Sequence, residues 1–224
     1  MAEIIKIKRL RASRSLRLRV YGDGSVVVTA PLRVAQSRID EFIAEHQAWI
    51  DEKLANASSK LETLTAERDV LFFRGQEYQF RLAVTSTKKP GVVIQNTHLV
   101  VTSPSEDHKT VREILEKWYR RQAEQRFKDR VPLLADLVGR SVVKVTIRDQ
   151  RTRWGSCSSR NTISLNWRLI MAPDTVSDYV IYHELAHLTH MNHSTRFWQL
   201  VADYFPDYKN AERWLKQHHQ LLHF

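Results

Sequence analysis

The residues best equipped for chemistry lie together, in His183-Glu184-Leu185-Ala186-His187-Leu188-Thr189-His190-Met191-Asn192-His193. Neutral imidazole is the commonest protein ligand for metal ions. His183 and His187 are four positions apart, so on a helix they project from one face, one turn apart. That separation suits two imidazoles binding one zinc ion at about 2.0–2.1 Å. Glu184 lies about 100° around such a helix from His183. A carboxylate there can reach a water held on the ion without ligating the ion. It can accept the water's proton as the water attacks an electrophile, which is the chemistry of hydrolysis.

Two residues compete for the third ligand position. His190 stays on the face of His183 if the helix continues, whereas His193 reaches the ion only if the helix ends first. Asn192 readily adopts the left-handed conformation that closes a helix, and Ser194 is a good cap for a following one. The sequence therefore predicts a bend at 191–193. It favours His193 as ligand, leaving His190 as a pocket residue or a support for the ligands. Three protein ligands leave one position for water, so one Zn2+ per chain is the expected cofactor. Tyr179, Val180, Ile181 and Tyr182 precede the histidines. A buried helix is expected, where unpaired imidazoles and carboxylates are costly. That weighs against a surface helix with ordinary polar residues.

Other residues have less specific readings. Arg151 and Arg153 suit an anionic substrate or a developing oxyanion, and equally suit pairing with carboxylates. Asn166 and Trp167, within the strand Thr162–Leu169, read as possible pocket residues or supports for the site, and Trp154 and Trp167 read as core or pocket wall. Strand Thr162–Leu169 reads either as a core strand or as an edge for an extended peptide. Cys157, among serines, reads as a structural thiol in a turn. Tyr182, Tyr204 and Tyr208 are candidate hydrogen-bond donors to a transition state. His218, His219 and His223 read as a solvated tract.

The elements that must position these groups follow from periodicity. Residues 4–10 and 16–30 alternate as strands around a Gly22-Asp23-Gly24 turn. Ile39, Phe42, Ile43, Trp49, Ile50 and Leu54 mark an amphipathic helix, and 56–68 a polar linker. Strands return at Val70–Phe73, Tyr78–Val84, Val92–Ile94 and Leu99–Thr102. A long helix begins near Val111, and Pro132 is expected to divide it. Gly139 marks its stop, and Val142–Ile147 reads as a further strand. Pro173-Asp174 opens a helix near 175–191, and two more follow near 195–205 and 208–220. The fold class is α+β. A strand-rich region over 1–105 precedes a helical region over 106–224 with a short flanking sheet, as two regions or one continuous domain.

Composition bounds the rest. At 224 residues with 42% hydrophobic and 27% charged, the chain can bury a core without disulfides. No apolar run is long enough for a transmembrane helix. The N-terminus lacks a signal peptide's apolar core, and the single cysteine cannot form an internal disulfide, so a cytoplasmic location is expected. The net charge of +10 points to an anionic partner, a nucleotide or nucleic acid, or to solvated strand faces.

Residues 153–215 resemble the YgjP-like metallopeptidase family of bacterial metal-dependent hydrolases. The resemblance rests on Arg153-Trp154-Gly155-Ser156-Cys157-Ser158, Ile163-Ser164-Leu165-Asn166-Trp167-Arg168-Leu169 and the His183-Glu184-Leu185-Ala186-His187 run. It continues through Asn192-His193-Ser194, Phe197-Trp198 and Pro206-Asp207-Tyr208. More loosely, it extends over the basic hairpin, Pro31 and Trp49-Ile50. The histidine region is similar, more distantly, to SprT and WLM zinc proteases, which act on proteins attached to DNA. The family resemblance implies a zincin-like region with zinc on His183, His187 and His193, Glu184 as general base, and a peptide or protein substrate. Two other functions fit the residues: metal-dependent hydrolysis of a nucleotide phosphoanhydride, and nucleic-acid binding around a structural metal.

Overall fold

The computed structural model describes residues 5–20, 26–53, 70–87, 89–150, 152–220 and 222. The expected turn at Gly22-Asp23-Gly24, the linker at 56–68, and Arg151 and His223 lie outside them. Backbone contacts group the chain into two compact units, residues 1–68 with 223–224 and residues 69–222. The strands at 70–103 fall in the second of these units, with the helices.

In the first unit, β1 (Ile5–Leu10), β2 (Arg17–Val20) and β3 (Val26–Pro31) form a sheet in the order β1-β3-β2. β1 runs parallel to β3, and β2 antiparallel to it. Alternation puts Val28 and Ala30 on one face with Ile5, Ile7 and Leu18, where Ile39, Phe42 and Ile43 cover them. The covering helix α1 (Gln36–Glu45) is broken at His46, and helical residues resume over 47–53. Periodicity alone predicts one continuous helix. The His46 ring bonds the carbonyl of Phe42 at 2.9 Å, a side-chain capture of a helix-end carbonyl.

The second unit holds two sheets and four α-helices. The strands β4 (Val70–Phe73), β5 (Gln76–Val84), β6 (Gly91–Gln95) and β7 (His98–Ser103) pair in the order β4-β5-β7-β6. Helix α2 (His108–Leu137) packs along them, burying Leu115, Trp118, Tyr119, Phe127 and Leu134. Its first turn is capped by Asp107, which accepts from the Thr110 backbone at 2.9 Å. Pro132 does not divide α2, contrary to the expectation above. Pro132 and Lys128 are both exposed, so the carbonyl freed by the missing N–H faces water. Val131, Leu134 and Ala135 hold the buried face across it. Gly139, at φ +64°, ends the helix as expected.

The second sheet is β8 (Lys144–Arg148), β9 (Gly155–Cys157) and β10 (Thr162–Asn166), ordered β8-β10-β9. Two expectations change here. Residues 155–157, read as a turn, are a strand, because their backbone pairs antiparallel with 163–165. β10 is bonded on both sides and offers no edge, so the edge strands are β8 and β9, and of these β9 lies at the cleft described below. β10 also stops at Asn166, whose carboxamide oxygen accepts from the Arg168 backbone at 3.1 Å and starts a 3-10 turn over Trp167–Met171.

Helix α3 (Asp174–Ala186) follows, then α4 (Thr195–Tyr204) and α5 (Tyr208–His218). The tip of the β4–β5 hairpin holds the start of α3. Arg74 and Gly75 adopt positive φ, as a tight hairpin requires. Their amides donate to the carbonyls of Ile170 and Met171 at 2.8 and 3.0 Å. A Cβ at Gly75 would stand 2.8 Å from Pro173, so this docking admits only glycine. Arg74 pairs bidentately with Asp174, which Arg126 also approaches at 3.2 Å. Farther along, Arg130 of α2 forks onto Asp178 at 2.9 and 2.5 Å. No helix among the described residues is long and apolar enough to cross a membrane.

The hydrogen bond from Arg74, above all, holds the Asp174 carboxyl below its ordinary range. Its contribution to stability is therefore complete above the unfolded carboxylate range and is lost as pH falls through the folded one. Arg74→Ala should lower unfolding free energy by about 1 kcal/mol at neutral pH, given the pair's partial exposure. Urea titrations should show the gap from wild type closing as pH is lowered toward 3.

Candidate metal centre

Helix α3 is buried on most of its circumference, with Val176, Tyr179, Val180, Ile181, Leu185 and Ala186 among its buried residues. It ends at Ala186 with His187 as cap, five residues earlier than the pattern predicts. His187 keeps helical angles, φ −65° and ψ −19°, so the His183–His187 relation survives. Leu188, Thr189 and His190 turn back through bonds to Leu185 and Ala186. Asn192 is not left-handed: among the described residues positive φ falls on Arg74, Gly75, Asn96, Gly139 and Asn161. The chain turns at 187–189 and bends again at 191–192, within the expected 191–193, without a left-handed residue at 192. Ser194 caps α4 as predicted, accepting from the Phe197 backbone at 3.4 Å.

The bend brings the three imidazoles together. The Nε2 atoms of His183 and His193 are 3.1 Å apart, and donor atoms of His183, His187 and His193 lie mutually within 4.8 Å. Two nitrogens that ligate tetrahedrally at about 2.0–2.1 Å stand about 3.4 Å apart, so the group has the span of a ligand set. Phe197, fully buried, is the wedge on which all three rings pack, at centroid distances of 4.9, 4.5 and 4.7 Å. Trp198 stacks on His193 at 5.8 Å.

Protonation favours the same role. Burial, helped by the two neighbouring imidazoles, pushes the His183 pKa down to about 3. His187 is also lowered, chiefly by burial. The His187 Nδ1 bonds the carbonyl oxygen of His190 at 3.0 Å, which makes Nδ1 the donor and leaves Nε2 with a free lone pair. His190 thus acts through its main chain. Its side chain is not in the triad.

Glu184 points to the same cavity from the next position of α3 and is only 5% exposed. Burial raises its pKa to about 8, opposed by the Arg153 charge. Its Oε2 and the Nδ1 of His183 are buried and lack a hydrogen-bond partner among the described residues. A buried carboxylate with an open oxygen and three convergent imidazoles form a donor set suited to one transition-metal cation and a polar ligand beside it.

The cavity, about 780 Å3, opens between β9 with its preceding loop, α3 and α5. Arg153, Trp154 and Cys157 line it, and burial with the Glu184 charge pushes the Cys157 thiol up to about 11. Asn166 and Trp167 do not line it. Asn166, 2% exposed, donates to the carbonyls of Gln150 and Arg153 at 2.6 and 3.2 Å, so it holds the loop that carries Arg153. Trp167 is core beneath Arg168 and Tyr119. Of the tyrosines, Tyr182 packs on Phe205, Tyr204 accepts from Arg140 at 3.0 Å, and Tyr208 lies at a neighbouring depression.

The tyrosine that lines the cavity is Tyr179, which sequence reasoning treated only as helix filler. Its position, four before His183, carried the signal. Burial chiefly raises its hydroxyl pKa. Glu212, Leu215, Lys216 and His219 also line the cavity. Their i, i+3, i+4, i+7 spacing marks one face of α5. His219 is exposed, as the solvated reading has it, yet lines the cavity, and His218 is half-buried. His218 stacks on Trp214 at 4.3 Å, and His219 meets Trp154 edge-on at 5.4 Å.

Gly155 is the other missed residue. A Cβ there would stand 2.5 Å from Oε1 of Glu184. Glycine is needed here for space, so that the carboxylate fits beneath β9.

Three convergent imidazoles that could hold a metal ion thus lie beside a buried carboxylate in an open cleft. The chain matches the YgjP-like metallopeptidase domain over residues 14–218 and belongs to that family. Among solved structures, the metallopeptidase zymogen abylysin of Pyrococcus abyssi is similar, at 27% identity and TM-score 0.37, over 40% of this chain and 92% of that one. No curated protein sequence matches.

Gly155→Ala should displace the Glu184 carboxylate while leaving the three imidazoles in place. The expected outcome is unchanged metal stoichiometry by plasma mass spectrometry, with a melting temperature lowered by several degrees. Parallel loss of metal would show that residue 155 supports the histidines instead.

Proposed function

We propose that the protein is a zinc-dependent peptidase with Glu184 as its general base. The observation that supports this best is the convergence of His183, His187 and His193 beside a buried carboxylate in an open cleft. Zinc suits three imidazoles and, when bound, supplies Lewis acidity that makes a water nucleophilic near neutral pH and polarises a carbonyl. His183, His187 and His193 would hold it.

The chain's own residues do the rest. Glu184 accepts a proton from the attacking water and passes it to the leaving amine nitrogen. The apolar surroundings raise its basicity, and a cation in the triad offsets part of that rise. Gly155 gives the carboxylate room, and Asn166 positions the loop that places Arg153 near it. Tyr179, on the face of His183, is the tyrosine placed to donate toward a substrate oxygen. β9 is bonded to β10 on one side only and runs along the cleft. An extended peptide can pair with its other side, main chain to main chain. The lone Cys157, with no internal disulfide partner, fits a reducing compartment such as the cytoplasm.

Two measurements test this. Plasma mass spectrometry should find one zinc per chain in wild type, lost in His183→Ala and His193→Ala. His190→Ala should keep it, because the carbonyl that orients His187 remains. Glu184→Gln should keep the metal and lose peptide hydrolysis by at least about a hundredfold. Full turnover in that variant would refute the assignment.

A further inference from the structure

Next to the cleft is a second depression, about 500 Å3, lined by Trp198, Tyr208, Lys209, Glu212, Arg213 and Lys216. Glu212 and Lys216 also line the cleft, so the two cavities adjoin across that ion pair, whose atoms are 2.9 Å apart. Three cations thus meet one carboxylate, and Lys216 already engages it. Arg213 donates to the neutral carboxamide of Asn210 at 2.9 Å. Lys209 lies 6.0 Å from the Tyr208 ring. Among the described residues no carboxylate is within ion-pair distance of Lys209 or Arg213.

The aromatic floor has the same preference. Trp198 stacks on His193 at 5.8 Å and on Tyr208 at 5.6 Å, with interplanar angles of 28° and 24°. In these two stacks the rings turn faces toward one another. Aromatic edges carry the positive part of the quadrupole. Edges and cations together complement an anion small enough to need no open ring face, which suits a carboxylate better than a nucleobase. The run of rings from His193 to Tyr208 spans roughly three residues of extended peptide at about 3.3 Å each.

We propose that this depression is a specificity subsite, in which Lys209 and Arg213 receive an Asp or Glu side chain of a peptide substrate roughly three residues from the bond that is cut. The proposal rests on the peptidase reading above. It adds a substrate class, peptides acidic at that position.

The zinc-loaded protein is given blocked peptides that differ only in Glu, Gln or Lys, scanned over three positions on either side of the cleaved bond. The Glu peptide should exceed the Gln peptide by about five- to tenfold in kcat/KM at one position, with the difference in KM. Lys209→Glu/Arg213→Glu should reverse the order toward the Lys peptide while retaining its zinc. Calorimetry of Glu184→Gln with the same peptides gives a readout without turnover, and its Kd values should rank Glu before Gln before Lys. Cleavage of all three peptides at equal kcat/KM would overturn the subsite and leave the peptidase reading intact. Charge-ranked binding without cleavage in wild type would support the subsite and overturn the peptidase reading. Displacement of the bound Glu peptide by a nucleoside triphosphate at concentrations below that peptide's own Kd would overturn the acidic-peptide assignment.

Discussion

A carboxylate lies inside a helix that is buried on most of its circumference, and the surrounding architecture accommodates that fact. Glu184 is flanked in sequence by a histidine and by Leu185, which is fully buried, so it cannot turn to solvent without unwinding α3. Burying such a group is unfavourable by several kcal/mol unless a charge, proton or cation compensates. Arg153 offers partial compensation from the loop before β9, and the imidazole triad offers a place for a cation. The chemistry and the instability share one origin, since the surroundings that raise the carboxyl pKa are also those that withhold water from it.

Holding this arrangement takes contacts from outside the site. The β4–β5 hairpin fixes the start of α3 through Pro173 and Asp174, and α2 grips the next turn through Arg130 and Asp178. Near the other end, Phe197 reaches back from α4 to set the three rings. Asn166 ties down the loop that brings Arg153 and Gly155 over the helix. These contacts come from segments far apart in the chain, and each is a directional bond or a close steric fit. That is the geometry an active centre needs, because imidazole and carboxylate positions matter at the scale of tenths of an ångström.

The sequence showed the site more clearly than the structure around it. Helical spacing alone put His183, Glu184 and His187 together, because a local relation needs no tertiary knowledge. His193 could be favoured over His190 from the cap at Ser194 and the bend at 191–192, although a turn at 187–189 precedes that bend and Asn192 is not left-handed. Gly155 was invisible because its requirement is steric and comes from a residue twenty-nine positions later in the chain. β9 was read as a turn because Gly-Ser-Cys has weak strand propensity, and only pairing with β10 makes it a strand. Pro132 misled for the complementary reason. A local breaker was overridden by nonlocal packing along a buried face.

The close fit of Gly155 over Glu184 also bears on how such a protein can change over evolutionary time. With the carboxylate in place, a methyl group at 155 is excluded. Were position 184 first to become a small residue, the space beneath β9 would open and 155 could accept a side chain freely. From then on the vacated volume would be filled, and restoring the glutamate would require reverting both positions together. Loss of Glu184 would therefore act as a ratchet. A descendant that kept the three histidines but not this carboxylate would have no single-step return.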